Sequence, residues 1–391
     1  MNYKAYENYK DSGIDWIGEI PKDWSICRVK NKFSIRSGDS PVKKEEGKYE
    51  IIGANGCIGL TDDFNITKKH ITIGRVGAAG SVNITPDKAF VSDNALILDF
   101  NESIVFDYAF YLLKALNLDS LINKNAQPLI TATQVKNLFI MNVSKQEQSK
   151  IASYLDEKTS KIDNIISKNK ELISLLEEEK LAIIHQVVTK GLDFNVPVKD
   201  SGIEWIGEIP SHWDLHKLKR FVTLHNGKEI NNEVYSDDEG AINVYGSGGV
   251  FKFTDEYMFN GEAVLFGRKG TIGKPIYLNE KFWAVDTVYY LTCNDLLVPK
   301  FCYYSLILYP WDKITTSTAK PSVVGSDVTN STFHIPPKKD QISIVNFLDN
   351  EILNLNNIIK KIDYQISLLE EYKNSLIHQV VTGKIDVRGE I

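Results

Sequence analysis

The sequence has few of the features that mark metal-binding, disulfide-stabilised or membrane proteins. It holds 4 Cys and 3 Met in 391 residues, and no apolar run approaches the roughly 18 residues that cross a bilayer. The cysteines form no C-x-x-C pair and have no His partners at ligand spacing, which argues against a zinc site and a disulfide framework. We predict that Cys27, Cys57, Cys293 and Cys302 are small buried or half-buried residues. The polar N-terminus lacks a signal-peptide pattern, so we expect a cytoplasmic protein.

A strong charge of either sign is also missing. The formal net charge is −6, which does not point to a nucleic-acid binder by itself. Any DNA contact must therefore come from local clusters, or a partner must share the work of neutralising phosphates. Apolar residues make up 43% and charged residues 25% of the chain, the balance of a globular protein of two to three domains.

The chain consists of two copies of one plan. The stretch "DSGIDWIGEIPKDW" at Asp11 returns as "DSGIEWIGEIPSHW" at Asp200. Further matches keep a constant offset, such as "GRVGAAG" from Gly74 with "GRKGTIG" from Gly267, and "IIGANGCIGLTDDF" with "VYGSGGVFKFTDEY". Two long units exclude a solenoid or a propeller blade.

The front of each copy indicates a mixed α/β (α+β) globular domain. Short runs such as "HITIGR", "NALILDF", "AVLFGR" and "VYYL" alternate with Gly, Asn and Asp, as strands and turns do. Two stretches, "VFDYAFYLLKAL" and "KFCYYSLILY", have helical periodicity. We place the globular domains at residues 1–145 and 191–338.

The back of each copy, residues 146–190 and 339–391, has the seven-residue spacing of a coiled-coil seam. The first seam comprises Leu155, Ile162, Ile166, Ile173, Leu176 and Ile183. The second comprises Leu348, Leu355, Ile359, Ile362, Ile366, Leu369 and Leu376. Neither long amphipathic helix is stable alone, so we expect the two to pair antiparallel, with the globular domains related by a pseudo-twofold axis.

No catalytic constellation is found in the sequence. "GRKGTIGKP" departs from a phosphate-binding loop, because Arg268 stands where the first Gly belongs and Pro275 follows Lys274. The single Pro-Pro, in "HIPPKK", lacks the neighbours of an adenine methyltransferase motif, and "EEGK" is typical of a turn. We therefore expect no enzymatic activity, no metal site and no cofactor in this chain.

The combination of "SGIDWIGEIPKDW", "GRxGxxG", a Gln-Pro or Lys-Pro segment before a long helix, and "LLEEEKLAIIHQVVT" resembles the specificity (S) subunit of type I restriction-modification enzymes. The resemblance covers practically the whole chain in both copies. It implies two target recognition domains, each binding one half of a split asymmetric DNA target, with paired helices that set the spacer. It also implies two methyltransferase (M) subunits that supply S-adenosylmethionine, and two restriction (R) subunits that can add ATP- and Mg-dependent cleavage.

Comparison of the copies sorts the residues by task. Positions identical in both, such as Trp16 with Trp205 and Trp24 with Trp213, serve folding, backbone contact or docking. We favour core anchoring for these tryptophans. The glycines of "GRxGxxG" are expected to adopt positive φ, and Arg75 and Arg268 either contact phosphate or form structural ion pairs.

Positions that differ on the same loops are candidates for base recognition, although surface drift explains any single one equally well. Arg or Lys donates to guanine, Gln or Asn pairs with adenine, and apolar groups contact the thymine methyl. The pairs are Arg36-Ser37 with His225-Asn226, Ala54-Asn55 with Ser247-Gly248, Val76 with Lys269, Gln127 with Lys320, and Thr131 with Val324.

We conclude that the chain is a non-catalytic DNA sequence-recognition subunit. Two alternatives remain: a self-sufficient enzyme that modifies or cleaves DNA, and a coiled-coil scaffold without sequence recognition. Purified chain that methylates or cuts DNA unaided would support the first. Absence of sequence preference in the presence of the methyltransferase would support the second.

Overall fold

The computed structural model describes residues 4–122, 129–316 and 321–389. The chain divides into two compact units, one of Met1–Asn169 with Asp363–Ile391 and one of Lys170–Ile362. Each unit therefore contains a globular part and a segment of each of two long helices. Within the described residues, no helix is long and apolar enough to cross a membrane.

The first unit is an α/β domain built on short, mainly antiparallel sheets, in which β5 and β9 pair in parallel. Its strands are β1 (Tyr9–Asp11), β2 (Glu19–Pro21), β3 (Ser25–Arg28), β4 (Phe33–Ser37), β5 (Tyr49–Gly53), β6 (Gly56–Thr61), β7 (Ile71–Gly74), β8 (Val82–Ile84), β9 (Phe90–Val91), β10 (Ala95–Phe100) and β11 (Phe139–Asn142). Its helices are α1 (Phe106–Lys114), α2 (Ala132–Asn137) and the start of α3 (Lys145–Lys190). The main sheet has the order β4-β10-β7-β8, and a second sheet has the order β6-β5-β9.

The second unit repeats this plan with longer strands. They are β12 (Val198–Asp200), β13 (Glu208–Pro210), β14 (Asp214–Lys217), β15 (Val222–Asn226), β16 (Ile242–Gly246), β17 (Gly249–Thr254), β18 (Phe259–Gly267), β19 (Ile276–Ala284), β20 (Val288–Cys293) and β21 (Thr332–Ile335). The helices are α4 (Pro299–Ile307), α5 (Gly325–Asn330) and α6 (Lys338–Val381). Here a single six-stranded sheet has the order β15-β20-β18-β19-β16-β17.

One proline accounts for part of the difference between the two units. In the second unit β19 continues for 9 residues and pairs with both β18 and β16. In the first unit the matching chain stops at β8 and resumes at β9, and Pro86 lies between them where the second copy has Asn279. Proline offers no N–H to a ladder and is poorly tolerated inside a sheet, so the strand is divided and the sheet separates in two.

The strands and the short helices form where the sequence predicts them. "HITIGR" and "NALILDF" contain β7 and β10, whose Ile71, Ile73 and Ile97 are fully buried because both faces of these central strands are covered. The two helical stretches of the sequence correspond to α1 and α4, which turn Tyr108 and Phe301 into the cores of their units. The predicted α/β class with two tandem domains is confirmed.

The long helices have 46 residues in α3 and 44 in α6, or about 70 and 66 Å at ~1.5 Å per residue. Every predicted seam residue is buried or half-buried. In the first unit Lys373 Nζ lies 2.6 Å from Asp163 Oδ1, and Lys150 Nζ donates to the carbonyl of Arg388. The two helical segments of this unit therefore run antiparallel.

The second unit has an equivalent arrangement. Lys180 Nζ donates to Asn356 Oδ1 at 3.4 Å, while His334, just before α6, donates from Nε2 to the carbonyl of Val188 at 2.7 Å. The order of these contacts along the chain again gives antiparallel segments. Coiled-coil packing over the whole length and the pseudo-twofold axis stay predictions.

The repeated tryptophan motif lies at the ends of these helices. Trp24 and Trp213 are almost fully buried, as predicted for core anchors, while Trp16 and Trp205 are half-buried. Gly191, which follows α3 at φ 72°, leaves room for Trp213, because a Cβ there would lie 3.2 Å from the indole ring. In the first unit Trp24 lies against Gly383, which follows α6. Each copy of the motif thus closes the end of a long helix.

Candidate nucleic-acid interface

In the first unit, three segments that carry predicted recognition residues come together. They are the β5–β6 turn, the "GRVGAAG" turn after β7, and the stretch before α2. Val76 pairs with Leu129, and the Ile130 N–H donates to the carbonyl of Arg75 at 2.9 Å. Asn83 Nδ2 donates to the carbonyl of Ala54 at 3.3 Å, which joins the β5–β6 turn to this cluster. We call these segments the loop cluster of the unit.

The second unit forms the same loop cluster from its own residues. Lys269 pairs with Ser322, and the Val323 N–H donates to the carbonyl of Arg268 at 2.9 Å. Ser247 Oγ, in the β16–β17 turn, accepts from the Thr271 N–H at 3.2 Å. The bridge and the N–H···O bond next to it are equivalent in the two units, while the hairpin turns are held by different side-chain contacts.

The glycines of these turns have two different tasks. Gly77, Gly80, Gly270 and Gly273 have φ between 78° and 89°, as predicted. The same prediction is wrong for Gly74 and Gly267, which do not have positive φ. A Cβ at Gly74 would lie 2.2 Å from the carbonyl oxygen of Ala78, and one at Gly267 would lie 2.1 Å from that of Thr271. These two glycines are required by close backbone approach.

Arg75 and Arg268 lie at the base of the loop clusters. Arg75 Nη1 reaches the carbonyl of Asp93 at 3.5 Å, and the Arg268 guanidinium lies 5.7 Å from the centre of the Tyr289 ring. Within the described ranges neither arginine has a carboxylate within 4.0 Å, so the ion-pair alternative is not observed there. Both guanidinium groups keep hydrogen-bond donors for an anion such as a phosphate.

The predicted recognition residues on β4 and β15 differ in how many contacts their side chains make within the protein. Arg36 and Ser37 are exposed, and Arg36 Nε lies 3.6 Å from Asp99 Oδ2, an exposed pair that water screens. His225 stacks on Tyr290 with ring centres 4.5 Å apart, and its Nε2 lies 3.0 Å from Thr292 Oγ1. Burial lowers the pKa of His225, so its ring is neutral near pH 7. Asn226, next along the strand, is exposed.

Thr131 and Val324 occupy the same place, the residue before a short helix. Thr131 caps α2, because its Oγ1 accepts from the Gln134 N–H at 3.3 Å and Gln134 Oε1 accepts from the Thr131 N–H at 2.8 Å. Its hydroxyl therefore serves the fold, whereas the Val324 side chain is 50% exposed. Gln127 and Lys320, also predicted to contact DNA, lie outside the described residues.

Two side chains beside these loops were missed in the sequence. Ile58 on β6 and Phe251 on β17 occupy matching positions, differ between the copies and are 41% and 54% exposed. The comparison of copies that selected Asn55 and Ser247 could have found them three and four residues further on. Cys57, next to Ile58, is exposed, which corrects the expectation that all four cysteines are at least half-buried.

Groups that could hold a metal were searched in the same ranges. Among residues 4–122, 129–316 and 321–389, no three His, Cys, Asp or Glu side chains lie together as ligands would. "EEGK" lies in a bend before β5, as its sequence indicates.

The fold and the two loop clusters define a tandem recognition protein, in which one scaffold carries two different sets of exposed side chains. Comparison with known proteins agrees with this class. The sequence model of one protein family, the type I restriction modification DNA specificity domain, matches residues 21–175 and again residues 210–368. The chain belongs to this family.

Relatives over the full length support the assignment. The type I restriction enzyme MjaVIII specificity subunit of Methanocaldococcus jannaschii is 24% identical over 433 residues, covering 100% of this chain and 98% of that protein. The EcoprrI specificity subunit of Escherichia coli is 30% identical over 164 residues, which cover 40% of this chain and 41% of that protein. A solved structure, from a study of complex assembly and conformational transition of the type I R-M system, has a TM-score of 0.69 at 14% identity and covers 95% of this chain and 99% of its own. This last likeness supports the fold.

Proposed function

We propose that each unit of this specificity subunit recognises one half of a two-part, asymmetric DNA target through its loop cluster. The observation that carries the proposal is the pair of loop clusters themselves. Two of their backbone contacts are equivalent, while Val76 occupies the position of Lys269, and Asn55 that of Gly248 in the hairpin turn. A shared scaffold with different side chains suits two different base sequences.

The long helices set the distance between the two half-sites in this proposal. Their buried seams and the antiparallel segments within each unit support a stiff spacer. Removal of one heptad from both helices should shorten each by about 10 Å, or roughly 3 base pairs of duplex. The gap in the target should change accordingly, or binding should be lost.

The chemistry comes from partner subunits. Two methyltransferase subunits would bring S-adenosylmethionine and modify adenine, and two restriction subunits could add cleavage driven by ATP and Mg. The features identical in both copies suit the docking of two copies of one partner. The net charge of −6 fits a shared task, because the partners would supply most of the phosphate contacts.

Co-expression with the cognate methyltransferase, followed by methylation-sensitive genome sequencing, tests the function. We expect adenine marks in a two-part motif with a fixed gap. Exchange of residues 25–145 for those of a relative should change one half only, and the unchanged half serves as the internal control. A continuous palindrome, or marks without sequence preference, would refute the proposal, and methylation or cleavage by the purified chain alone would favour an enzyme.

A further inference from the structure

The hairpin that contributes to each loop cluster carries an exposed apolar side chain, Ile58 on β6 in the first unit and Phe251 on β17 in the second. In the first unit β5 and β6 close a tight turn in which Gly53 pairs with Gly56, and in the second unit β16 and β17 close one in which Gly246 pairs with Gly249. Each ladder shifts register at the same place, after Ile51 in one and after Val244 in the other. The two hairpins therefore have one backbone design in two units.

Ile58 and Phe251 are held against these turns rather than left loose. A Cβ at Gly53 would lie 2.7 Å from Ile58 Cγ2, and a Cβ at Gly246 would lie 3.2 Å from the Phe251 ring. The absence of a side chain at each glycine thus gives the apolar group a seat across the strand. Both side chains nevertheless expose 41% and 54% of their surface. Exposed apolar residues are ordinary, and other matched pairs such as Phe64 and Tyr257 are exposed too. Ile58 and Phe251 differ in lying on the two hairpins, next to turns that belong to the loop clusters.

Basic groups border the hairpins. The Lys43 side chain runs past Gly59, since a Cβ there would lie 3.7 Å from Lys43 Cδ. Lys43 is exposed and has no carboxylate partner within the described residues. In the second unit the exposed Lys269 lies on the turn that Ser247 contacts through Thr271. An exposed apolar side chain on the second strand of each hairpin, with a lysine nearby, suits a ligand with apolar groups inside a rim of phosphates.

We infer that the β5–β6 and β16–β17 hairpins enter the major groove of duplex DNA, where Ile58 and Phe251 contact base edges, in the first place thymine methyl groups. The inference rests on the proposed function and names the specificity-determining residues of that function. The major groove is about 12 Å wide and admits a two-stranded ribbon, and apolar side chains there distinguish thymine by its methyl group. Lys43 and Lys269 would then face the phosphates at the groove edge.

The differences between the copies favour DNA over a protein partner as the occupant. A methyltransferase that docked on both units would meet Ile58, Asn55 and Val76 on one hairpin surface. On the other it would meet Phe251, Gly248 and Lys269 in their place. One partner surface cannot complement both sets equally, whereas two half-sites of different sequence require such a difference.

Cys57 offers a direct probe in the unmodified protein. It is exposed and adjacent to Ile58, while Cys27 and Cys293 are half-buried and Cys302 is buried. In the complex with the methyltransferase, we expect target duplex to slow the reaction of Cys57 with a maleimide at least fivefold. Peptide mass spectrometry measures the labelled fraction of each cysteine over time. Cys27 serves as the internal control, and a Val250→Cys variant places the same probe on β17. Unchanged labelling in a complex that methylates its target would overturn the inference, and so would protection by the methyltransferase without DNA.

Substitution of the apolar side chains tests their role in recognition. Because the shortened side chain would no longer reach the methyl group of the base, Phe251→Ala should lower the preference for the correct base by roughly tenfold or more in one half-site, and Ile58→Ala should do so in the other half-site. Leu296→Ala, which removes an exposed leucine away from the hairpin, is the matched control and should leave both half-sites unchanged. Equal base preference in Phe251→Ala and the unsubstituted protein would refute the inference. Loss of preference in the unsubstituted complex would instead refute the proposed function.

Discussion

Removal of one buried glutamine should loosen one unit of the protein and leave the other intact. Gln341 is fully buried near the start of α6 and holds three backbone groups. Its Oε1 accepts from the Val298 N–H at 2.7 Å, and its Nε2 donates to the carbonyls of Leu296 at 3.0 Å and Pro336 at 2.8 Å. The side chain thereby joins the loop before α4 to the long helix.

The magnitude follows from these three bonds. In Gln341→Ala each of the three backbone groups loses its side-chain partner, and a buried unsatisfied group costs about 1 to 3 kcal/mol. Some relaxation and water entry will reduce the sum, so we expect the second unit to lose about 4 kcal/mol of unfolding free energy. Asn346→Ala, at an exposed position of the same helix within this unit, should change it by less than about 0.5 kcal/mol.

Hydrogen exchange during urea titration measures this loss unit by unit. The first unit supplies its own matched variant, because Gln148 makes the same bonds to Val105, Ser103 and Val143. Gln341→Ala should therefore raise exchange in α4, and Gln148→Ala should raise it in α1. A loss below about 1 kcal/mol, or equal loosening of both units by one substitution, would show that the glutamines are not what joins loop and helix.

Two further predictions concern the second unit, one at the turn after β18 and one at a buried histidine. Gly267→Ala should displace the turn after β18 and abolish recognition of one half-site in methylation mapping, since its Cβ would meet the Thr271 carbonyl at 2.1 Å. Gly389→Ala, whose Cβ meets no atom within 4 Å, should leave both half-sites unchanged. The second unit should also lose stability in acid, because burial lowers the pKa of His334 to about 4. Below the ordinary pKa of about 6.5 the unfolded chain takes up a proton that the folded unit does not, so the loss grows from pH 6.5 toward 4 and reaches about 3 kcal/mol. His334→Met, the residue found at the matching Met141, should remove this dependence in pH-dependent unfolding, and a persistent dependence would locate the titration elsewhere.

The local features of the fold could be predicted because they are periodic. A seven-residue apolar spacing selects Leu155, Ile162 and Ile359 as buried positions whatever the rest of the chain does. The strands "ITIG" and "ALILDF" are similarly determined by their own side chains. The presence of Pro86 could be read from the sequence, but the division of the sheet was not predicted, because it depends on the pairing of β8 and β9 with other strands, which no local pattern gives.

The parts of the site that escaped prediction depend on contacts between distant residues. Gly74 and Gly77 are the same residue type in one turn, yet one is needed for backbone approach and the other for its positive φ. Sequence alone does not separate these causes, since the carbonyl of Ala78 comes close to Gly74 only after the turn has folded. Ile58 was missed because an isoleucine in a strand pattern predicts a buried side chain, whereas the glycine opposite it lets the side chain lie on the surface.

The two copies place identical and variable residues in different parts of each unit, and this separation has a mechanical consequence. The shared Trp24 and Trp213 lie against Gly383 and Gly191 at helix ends, and the shared Gln148 and Gln341 tie loops to helix starts. Most residues that differ lie on turns whose backbone hydrogen bonds do not depend on side-chain identity, although Ser247 also holds its turn through Oγ. A substitution at Asn55 or Phe251 therefore leaves the attachment of its unit to the helices unchanged. Target sequence can change in one half-site without any change in the scaffold that must serve both.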